Sequence, residues 1–308
     1  MKKPKNYIVT GASGFLGKII TNSLISSGAN VISIGRSVEN NIIHDLSEPF
    51  QFSAPDLAVD TVIHIAGKAH SVPKTDEEKE QFFKVNYQGT KNLTTALLKL
   101  VTPPTAFIFI STVSVYGLDE GVDINENFKL NGISAYAKSK IEAEQWLQQW
   151  AAINNVKLTI FRLPLVAGEN PPGNLGKMIN GIKSGKYLSI GNASAKKSVV
   201  WGNDIVDIIP IAAECGGIFN LTDGNHPSFK ELEEVISSSL GLKKPFKIPI
   251  VLARILSKLG DIIGTGSPIN TEKMNKITST LTFDDSNARV LIGWKPNSVL
   301  KKLQETLK

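Results

Sequence analysis

The sequence contains few of the features that mark exported, membrane or nucleic-acid-binding proteins. Its 308 residues include one cysteine, Cys215, which excludes an intramolecular disulfide framework and which we expect to be buried as a small hydrophobe. The net charge of +6 is scattered, which fits an anionic small molecule better than nucleic acid. These absences favour a cytoplasmic protein. No metal site is predicted, because ligand spacing is missing among the histidines, His44, His64, His70 and His226.

Long apolar runs are also missing. No stretch of 18 apolar residues occurs, so we expect neither a transmembrane helix nor a stable membrane anchor. The segment 248–263 comes closest, but Arg254, Lys258 and Asp261 interrupt it. We predict an amphipathic helix packed on the protein body, the alternative being a helix that lies on a membrane surface.

Apolar strand-like runs alternate with helix-like segments through the first half of the chain. The predicted strands are 7–10, 30–35, 61–66, 106–111 and 157–163, and the predicted helices are 15–27, about 77–100 and 134–154. This alternation predicts an α/β fold, with a doubly wound parallel sheet covered by helices on both faces.

The regular alternation of strand-like and helix-like segments stops after Pro164. A loop rich in glycine and proline follows at 168–174, and the last third is mostly helical. We therefore predict a sheet domain over 1–164 and a smaller substrate-binding region over 165–308. The strand-like segment 218–221 indicates that the chain rejoins the main sheet near 200–222.

A glycine-rich turn follows the first predicted strand and opens the first helix. It reads Thr10-Gly11-Ala12-Ser13-Gly14-Phe15-Leu16-Gly17. Glycines at such a turn allow a pyrophosphate to approach backbone N–H groups, and the helix N-terminus favours its negative charge. The segment therefore predicts a dinucleotide-binding site.

Tyr136 and Lys140 stand four residues apart in a predicted helix, so they share one face of it. A nearby ammonium favours the phenolate form, so we expect Lys140 to lower the pKa of Tyr136. Tyr136 is then a candidate acid and base at neutral pH.

The spacing G-x-x-G-x-x-G, taken with Tyr136-x-x-x-Lys140, resembles the short-chain dehydrogenase/reductase superfamily. Chain length and further details resemble its extended branch, the NAD(P)-dependent epimerase/dehydratase family, which acts mainly on nucleotide sugars. The resemblance is strong over 7–168 and looser beyond. It implies a Rossmann fold with a smaller, mostly helical C-terminal substrate domain, and a homodimer through helices near 78–100 and 134–154.

The resemblance also implies which residues contact the cofactor. They are Gly11, Ser13, Gly14, Phe15, Leu16, Gly17, Arg36, Asp45, Leu46, Ala66, Gly67, Lys140 and Pro164. Gly35 and Arg36 stand where an acidic residue would bind the ribose hydroxyls of NAD. Because a guanidinium suits a 2′-phosphate, we favour NADP(H), with NAD(H) as the alternative.

The segment 111–117 resembles the family's catalytic hydroxyl region and places Thr112 beside Tyr136 and Lys140 in the triad. Family dehydratases carry Asp-Glu immediately after this hydroxyl, but this chain has Val113 and Ser114. We therefore predict no dehydratase activity. On the substrate side, Asn174 resembles a sugar-contacting asparagine. Lys197 stands where relatives place a diphosphate-binding arginine, and a lysine cannot form the bidentate contact.

These residues predict reversible hydride transfer at a secondary carbon of a nucleotide-linked sugar. The leading hypothesis is 4-keto reduction of a UDP-linked deoxyhexosamine for surface polysaccharide synthesis. A UDP-hexose or UDP-N-acetylhexosamine 4-epimerase with tightly bound NAD uses the same residues. A dinucleotide-binding sensor without turnover is a further alternative, although such members typically lose the tyrosine or the lysine.

Overall fold

The computed structural model describes residues 5–69, 71–263 and 270–307. Its strands, in chain order, are β1 Asn6–Thr10, β2 Asn30–Gly35, β3 Ile42–Ile43, β4 Thr61–His64, β5 Ala106–Thr112, β6 Gly121–Ile124, β7 Lys157–Leu163, β8 Leu165–Ala167, β9 Leu188–Ile190, β10 Val199–Trp201, β11 Gly217–Asn220, β12 Phe246–Ile248 and β13 Leu281–Phe283. Its α-helices are α1 Phe15–Ser26, α2 Asp76–Phe83, α3 Gly89–Leu97, α4 Ala135–Asn154, α5 Gly173–Lys183, α6 Asp204–Cys215, α7 Phe229–Ser239, α8 Ile250–Ile263, α9 Thr271–Thr278, α10 Ser286–Leu291 and α11 Val299–Thr306.

Seven strands form a parallel sheet in the order β11-β7-β5-β4-β1-β2-β3. The central strand β5 is buried along its whole length, because helices cover both faces of the sheet. One face packs against α1 and α6 through residues such as Ile20 and Ile209, and the other against α3 and α4 through Leu93 and Leu147. The predicted α/β Rossmann-type fold is confirmed.

The helix predicted over about 77–100 is divided in the structure. A π-helical turn at Lys84–Gln88 separates α2 from α3. The wider turn holds the side chain of Asn86 inside the protein, where only 1% of its surface is exposed. Its three hydrogen bonds to residues outside the helix account for the interruption, and wide turns of this kind occur frequently at functional sites.

The region after β7 is made of short elements. Parallel two-stranded pairs join β8 to β10, β9 to β12 and β6 to β13. A separate apolar core unites α5, α7 and α11 through Ile179, Ile236 and Leu303. The strand β11 returns to the main sheet beside β7, and Trp294 from the far end of the chain packs into the core under that sheet.

The helix α8 differs from its sequence prediction. It buries a narrow strip of small residues, Ala253, Ser257 and Gly260, and leaves its larger apolar side chains exposed. The prediction that its apolar face packs on the protein body is therefore wrong. The cause is the position of its neighbours, since α9 and β12 meet the small strip through Met274 and Ile248.

Cys215 also differs from its prediction. It ends α6 at the surface and is exposed, with its thiol 3.9 Å from the carbonyl of Leu291. The apolar face of α6 is supplied by isoleucines and alanines earlier in the helix, so the thiol at its end is not needed in the core.

Candidate active site

The glycine turn lies where β1 ends and α1 begins, at the carboxyl edge of the sheet. Gly11 has φ +69°, and a Cβ there would lie 2.7 Å from the backbone nitrogen of Ala66. A Cβ on Gly17 would lie 2.0 Å from the carbonyl oxygen of Gly11. Only glycine fits both positions, because the first helical turn, β1 and the end of β4 approach so closely.

The N-terminus of α1 has the character of an anion-binding site. Gly14 is its N-cap, no side chain caps it, and its first turn carries no acidic residue. Ser13, Phe15 and Leu16 line the same turn. Backbone N–H groups at a helix start attract phosphate, so this turn fits the pyrophosphate of a dinucleotide.

Arg36 follows the end of β2, and Asp45 and Leu46 follow the end of the neighbouring strand β3. The Arg36 guanidinium is 79% exposed and lies 3.9 Å from the Asp45 carboxylate. Partial desolvation opposes the charge of Asp45, but hydrogen bonds from Ser47 and the charge of Arg36 leave its pKa lowered. The buried Leu46 accepts a hydrogen bond from Asn92 through its carbonyl. This edge therefore offers one mobile cation and one fixed carboxylate.

A buried chain of hydrogen bonds runs from the glycine turn to α3. The hydroxyl oxygen of Thr10 accepts from the backbone N–H groups of residues 65–66, so its proton is available to Nδ1 of His64 at 2.6 Å. Nε2 of His64 then donates to the hydroxyl of Thr90, which donates to the carbonyl of Asn86. His64 is thus held by two partners and packs between strands.

Burial lowers the pKa of His64 to about 3, and the charge of Lys140 contributes further. The imidazole is therefore neutral at physiological pH, which is the form that the hydrogen-bond chain requires.

Thr112, Tyr136 and Lys140 lie near the end of β5, where Tyr136 hydrogen-bonds with Thr112 and Lys140 bonds the backbone of β5. Thr112 ends the strand, and its hydroxyl oxygen accepts from the backbone N–H of Ser114. Tyr136 and Lys140 lie on the first turns of α4, which Ser134 caps by accepting from Ala137. The predicted triad is therefore assembled beside the glycine turn.

Lys140 is 4% exposed, and its ammonium donates to the carbonyl of Ile110 at 2.8 Å. It also lies 4.3 Å from the centroid of the Phe109 ring. A Cβ on Gly67 would lie 3.5 Å from the ammonium nitrogen, so Ala66 and Gly67 form the wall opposite Lys140. Gly67 therefore lies close to the ammonium, and a larger side chain there would contact it.

The predicted effect of Lys140 on Tyr136 is wrong in this structure. Desolvation raises the pKa of Tyr136, and hydrogen bonding with Thr112 offsets only part of the increase. Burial instead lowers the pKa of Lys140 to about 8, against the opposing charge of Glu144. Lys140 directs its charge to the Ile110 carbonyl and the adjoining ring. Tyr136 therefore keeps its proton at neutral pH, as a general acid must.

Glu144 is a site residue that the sequence reasoning missed. It is fully buried one turn beyond Lys140, where it accepts hydrogen bonds from Ser111 and from Arg162, at 2.7 Å. Arg162 also contacts the hydroxyl of Tyr116. The spacing Tyr136, Lys140, Glu144 repeats every four residues, so the helical period alone would have identified it.

The residues predicted to bind substrate lie on separate elements. Pro164, predicted to contact the cofactor, follows β7, and the pairing of β8 with β10 brings the segment before Val199 near it. Lys197 is half-buried in that segment, and burial lowers its pKa. Asn174 is exposed on the first turn of α5. The described structure shows where these side chains stand, and their contact with substrate remains a prediction.

Within residues 5–69, 71–263 and 270–307, no group of three metal-ligating side chains is close enough to hold an ion. His70 lies outside the described residues. None of the helices in the described part of the chain is both long and apolar enough to cross a membrane.

Three known proteins are similar to this chain over nearly its whole length. UDP-glucose 4-epimerase from Vibrio cholerae is 28% identical over 98% of this chain and 94% of its own. N-acetyl-alpha-D-glucosaminyl-diphospho-ditrans,octacis-undecaprenol 4-epimerase from Escherichia coli O157:H7 is 26% identical over 98% and 94%. The crystal structure of UDP-glucose 4-epimerase from Thermotoga maritima with UDP-glucose superposes with a TM-score of 0.76. It covers 98% of this chain and 97% of that one at 21% identity, which shows a shared fold.

A family profile matches the part of the chain that contains the glycine turn, the triad and the strand β11. A profile of the NAD dependent epimerase/dehydratase family matches residues 7–221, more than two thirds of the sequence. The chain belongs to the NAD-dependent epimerase/dehydratase family, an extended branch of the short-chain dehydrogenases/reductases.

Proposed function

We propose that this protein is an NAD(P)-dependent oxidoreductase acting at C4 of a nucleotide-linked sugar. The observation that supports it most is the triad. Thr112, Tyr136 and Lys140 converge at the carboxyl edge of the sheet, next to a turn that fits a dinucleotide pyrophosphate. The similar 4-epimerases act on UDP-glucose and on a lipid-linked N-acetylglucosaminyl diphosphate.

The residues present fit the cofactor, since the closely packed glycines and the uncapped N-terminus of α1 form its phosphate site. When bound, the nicotinamide supplies or accepts a hydride. Tyr136 gives its proton to the C4 oxygen as negative charge develops there, or takes that proton in the reverse direction. Thr112 orients the same oxygen, and Lys140 holds positive charge beside it.

The absence of carboxyl groups after Thr112 argues against a dehydratase. Val113 and Ser114 open a 3₁₀ turn, and the Ser114 hydroxyl accepts a hydrogen bond from Thr112. Elimination of water needs a proton donor and an acceptor at these positions, which a valine and a bound hydroxyl do not provide.

We further propose 4-keto reduction of a UDP-linked deoxyhexosamine in surface polysaccharide synthesis, with NADP(H) as the cofactor. The Arg36 guanidinium supports this, because it is 79% exposed, lies in only a long ion pair with Asp45, and suits a 2′-phosphate. The nearby Asp45 carboxylate and the similar UDP-glucose 4-epimerase support the second candidate, a 4-epimerase with tightly bound NAD.

The experiment that tests this choice measures the cofactor. The purified protein is denatured anaerobically, the released nucleotide is identified by absorbance and mass, and NADPH and NADH are titrated into the protein. Empty sites that prefer NADPH, with oxidation of NADPH by UDP-linked 4-keto sugars, support the reductase. Retained NAD(H) in equal amount to protein, with conversion of UDP-N-acetylhexosamines, supports the epimerase and contradicts the role given to Arg36.

Arg36→Ala provides a sharper test of cofactor choice. We expect it to weaken NADPH binding by about tenfold or more and to leave NADH binding nearly unchanged, because one charge-assisted contact to phosphate is lost. Lys18→Ala is the matched control, since it removes a similarly exposed cation that pairs with Glu39 nearby. Equal losses for both cofactors would contradict the assignment.

Two further predictions accompany the proposed function. The first is a cytoplasmic location, where the proposed reductase would draw on the reduced cofactor pool.

The second is a homodimer through α2, α3 and α4. Sedimentation of the protein at several concentrations tests it, and a monomer at every concentration would contradict it.

A further inference from the structure

The helix α8 shows the reverse of the usual arrangement for a helix of a soluble protein, which buries its large apolar residues. Its buried strip consists of Ala253, Ser257 and Gly260. Its exposed side chains include seven large apolar residues, Ile250, Val251, Leu252, Ile255, Leu256, Leu259 and Ile262. Ile262 is 84% exposed and Val251 64%. Scattered exposed apolar residues are ordinary, but seven on one helix are not.

Six of these seven residues form a continuous surface. At 3.6 residues per turn, Val251, Ile262, Ile255, Leu259, Leu252 and Leu256 follow one another around an arc of about 140°. The arc faces away from the small strip. We call this surface the apolar arc. Phe246 and Leu188, which are paired across β12 and β9 just before the helix, are also exposed.

Positive charge borders the apolar arc on one side. Arg254 and Lys258 occupy the adjoining edge of α8, and Lys243, Lys244 and Lys247 precede the helix. Over residues 243–262 there are five cationic side chains and one acidic side chain, Asp261. The Asp261 carboxylate is bound to the backbone N–H and hydroxyl of Thr271. Lys244 is paired with Glu234 on α7. The positive charge beside the apolar arc therefore comes chiefly from Arg254 and Lys258 on the edge of α8.

We propose that α8 docks the protein on the surface of an anionic lipid bilayer. An apolar arc with long basic side chains along its edge matches a helix in the interface plane, with the apolar residues at the headgroup boundary and the cations at the phosphates. With 14 residues the helix extends about 21 Å, which is too short to span a bilayer but suits lying in its surface.

Charge distinguishes this occupant from a second copy of the chain. A symmetric antiparallel contact through the apolar arc would bring Arg254 and Lys258 of two copies together, in a protein that already carries a net charge of +6. An anionic bilayer neutralises the same side chains. The inference does not depend on the reaction proposed at Tyr136.

The test is co-sedimentation of the full chain with sucrose-loaded vesicles. One set contains phosphatidylglycerol and phosphatidylcholine in equal parts, and the other contains phosphatidylcholine alone. We expect the protein to pellet with the anionic set only. The double variant Ile255→Asp with Ile262→Asp should lower its partition coefficient at least about tenfold, and Arg254→Gln with Lys258→Gln about thirtyfold.

The matched control is Val101→Asp with Val290→Asp, which makes the same charge change at two apolar residues with 76% and 80% exposure away from α8. It should bind vesicles like the unchanged protein. All of these positions are exposed, and NADH binding and the thermal transition show that each variant is folded. Because vesicle binding is measured without substrate, it is independent of the proposed function.

Three results would overturn the proposal. The unchanged protein stays in the supernatant with anionic vesicles at physiological salt, or the control variant loses binding as much as the arc variant does. Alternatively, the unchanged protein is a dimer in the absence of lipid and the arc variant converts it to a monomer, in which case a second copy covers the apolar arc.

Discussion

At the scale of single residues, burial sets the pKa values of Tyr136 and Lys140 in the site. Tyr136 holds its proton more tightly than a phenol in water, because desolvation disfavours the phenolate. Lys140 holds its proton less tightly, with a pKa of about 8. The spacing in the sequence predicts that Tyr136 and Lys140 lie on one face of the helix. It does not show how deeply each side chain is buried, and burial sets the direction of each pKa shift.

Tyr136→Phe removes the proton donor and leaves the ring. We expect the turnover rate to fall by about 10²–10⁴-fold while NAD(P)H binding persists, because the loss affects proton transfer alone. Steady-state kinetics with cofactor titration check this. Tyr87→Phe, the same change on the neighbouring π-helical turn, should keep full activity. Unchanged biological activity of Tyr136→Phe would favour the non-catalytic sensor.

Lys140→Met tests the cost of burying the ammonium. The native protein releases this proton near pH 8 and the unfolded chain near pH 10.5, so between those values the unfolded chain binds more protons. Stability therefore rises with pH in that window, and the native state is penalised below it by about 3 kcal/mol.

We expect Lys140→Met to raise the free energy of unfolding at pH 7 by about 1–3 kcal/mol, since the lost bond to Ile110 offsets part of the gain. The advantage should vanish above about pH 10. Urea denaturation at a series of pH values measures it. Lys138→Met changes an exposed lysine on the same helix and should show no such pH dependence.

At the scale of elements, six strands of the main sheet were predicted, but the seven short strands among the described residues and two features of the helices were not. Strands buried on both faces appear as continuous apolar runs, as in β5. The π-helical turn depends on what Asn86 meets across the fold, and the exposure of α8 depends on which neighbours cover it. A local pattern shows which face of a helix is apolar, but tertiary contacts decide whether that face is covered.

Asn86→Ala tests the π-helical turn. The amide bonds the backbone of Lys68 through both its oxygen and its nitrogen, and it donates to the hydroxyl of Ser139. Because these buried groups would lose their partners, we expect a loss of about 2–4 kcal/mol in unfolding free energy. Gln88→Ala, on the exposed side of the same turn, should stay within about 0.5 kcal/mol. Equal losses would contradict the role of Asn86.

At the scale of the whole molecule, both halves of the chain contribute to the core under the main sheet. Trp294 is 2% exposed, packs under the main sheet and donates to the carbonyl of Thr222. The predicted boundary at residue 164 therefore does not separate two independent cores. The composition of the sequence indicated that its organisation changes after Pro164. It could not show that Trp294 packs under the main sheet, because the residues it contacts are distant in the sequence.

Trp294→Ala should destabilise both halves together. We expect the free energy of unfolding to fall by about 3–5 kcal/mol. Circular dichroism and fluorescence should report the same single unfolding transition. Phe246→Ala, at a 73% exposed position, serves as the control and should change little. Two separated transitions would show that the halves unfold independently.

The place of β11 in the sheet has a consequence for synthesis on the ribosome. The strand β7 ends at Leu163, yet its outer neighbour is not made until Gly217–Asn220, and Trp294 emerges later still. During this interval the nascent chain presents an open, apolar strand edge. We therefore expect trigger-factor-like chaperones to associate with ribosomes that carry this chain between those two points, and to leave once the sheet closes.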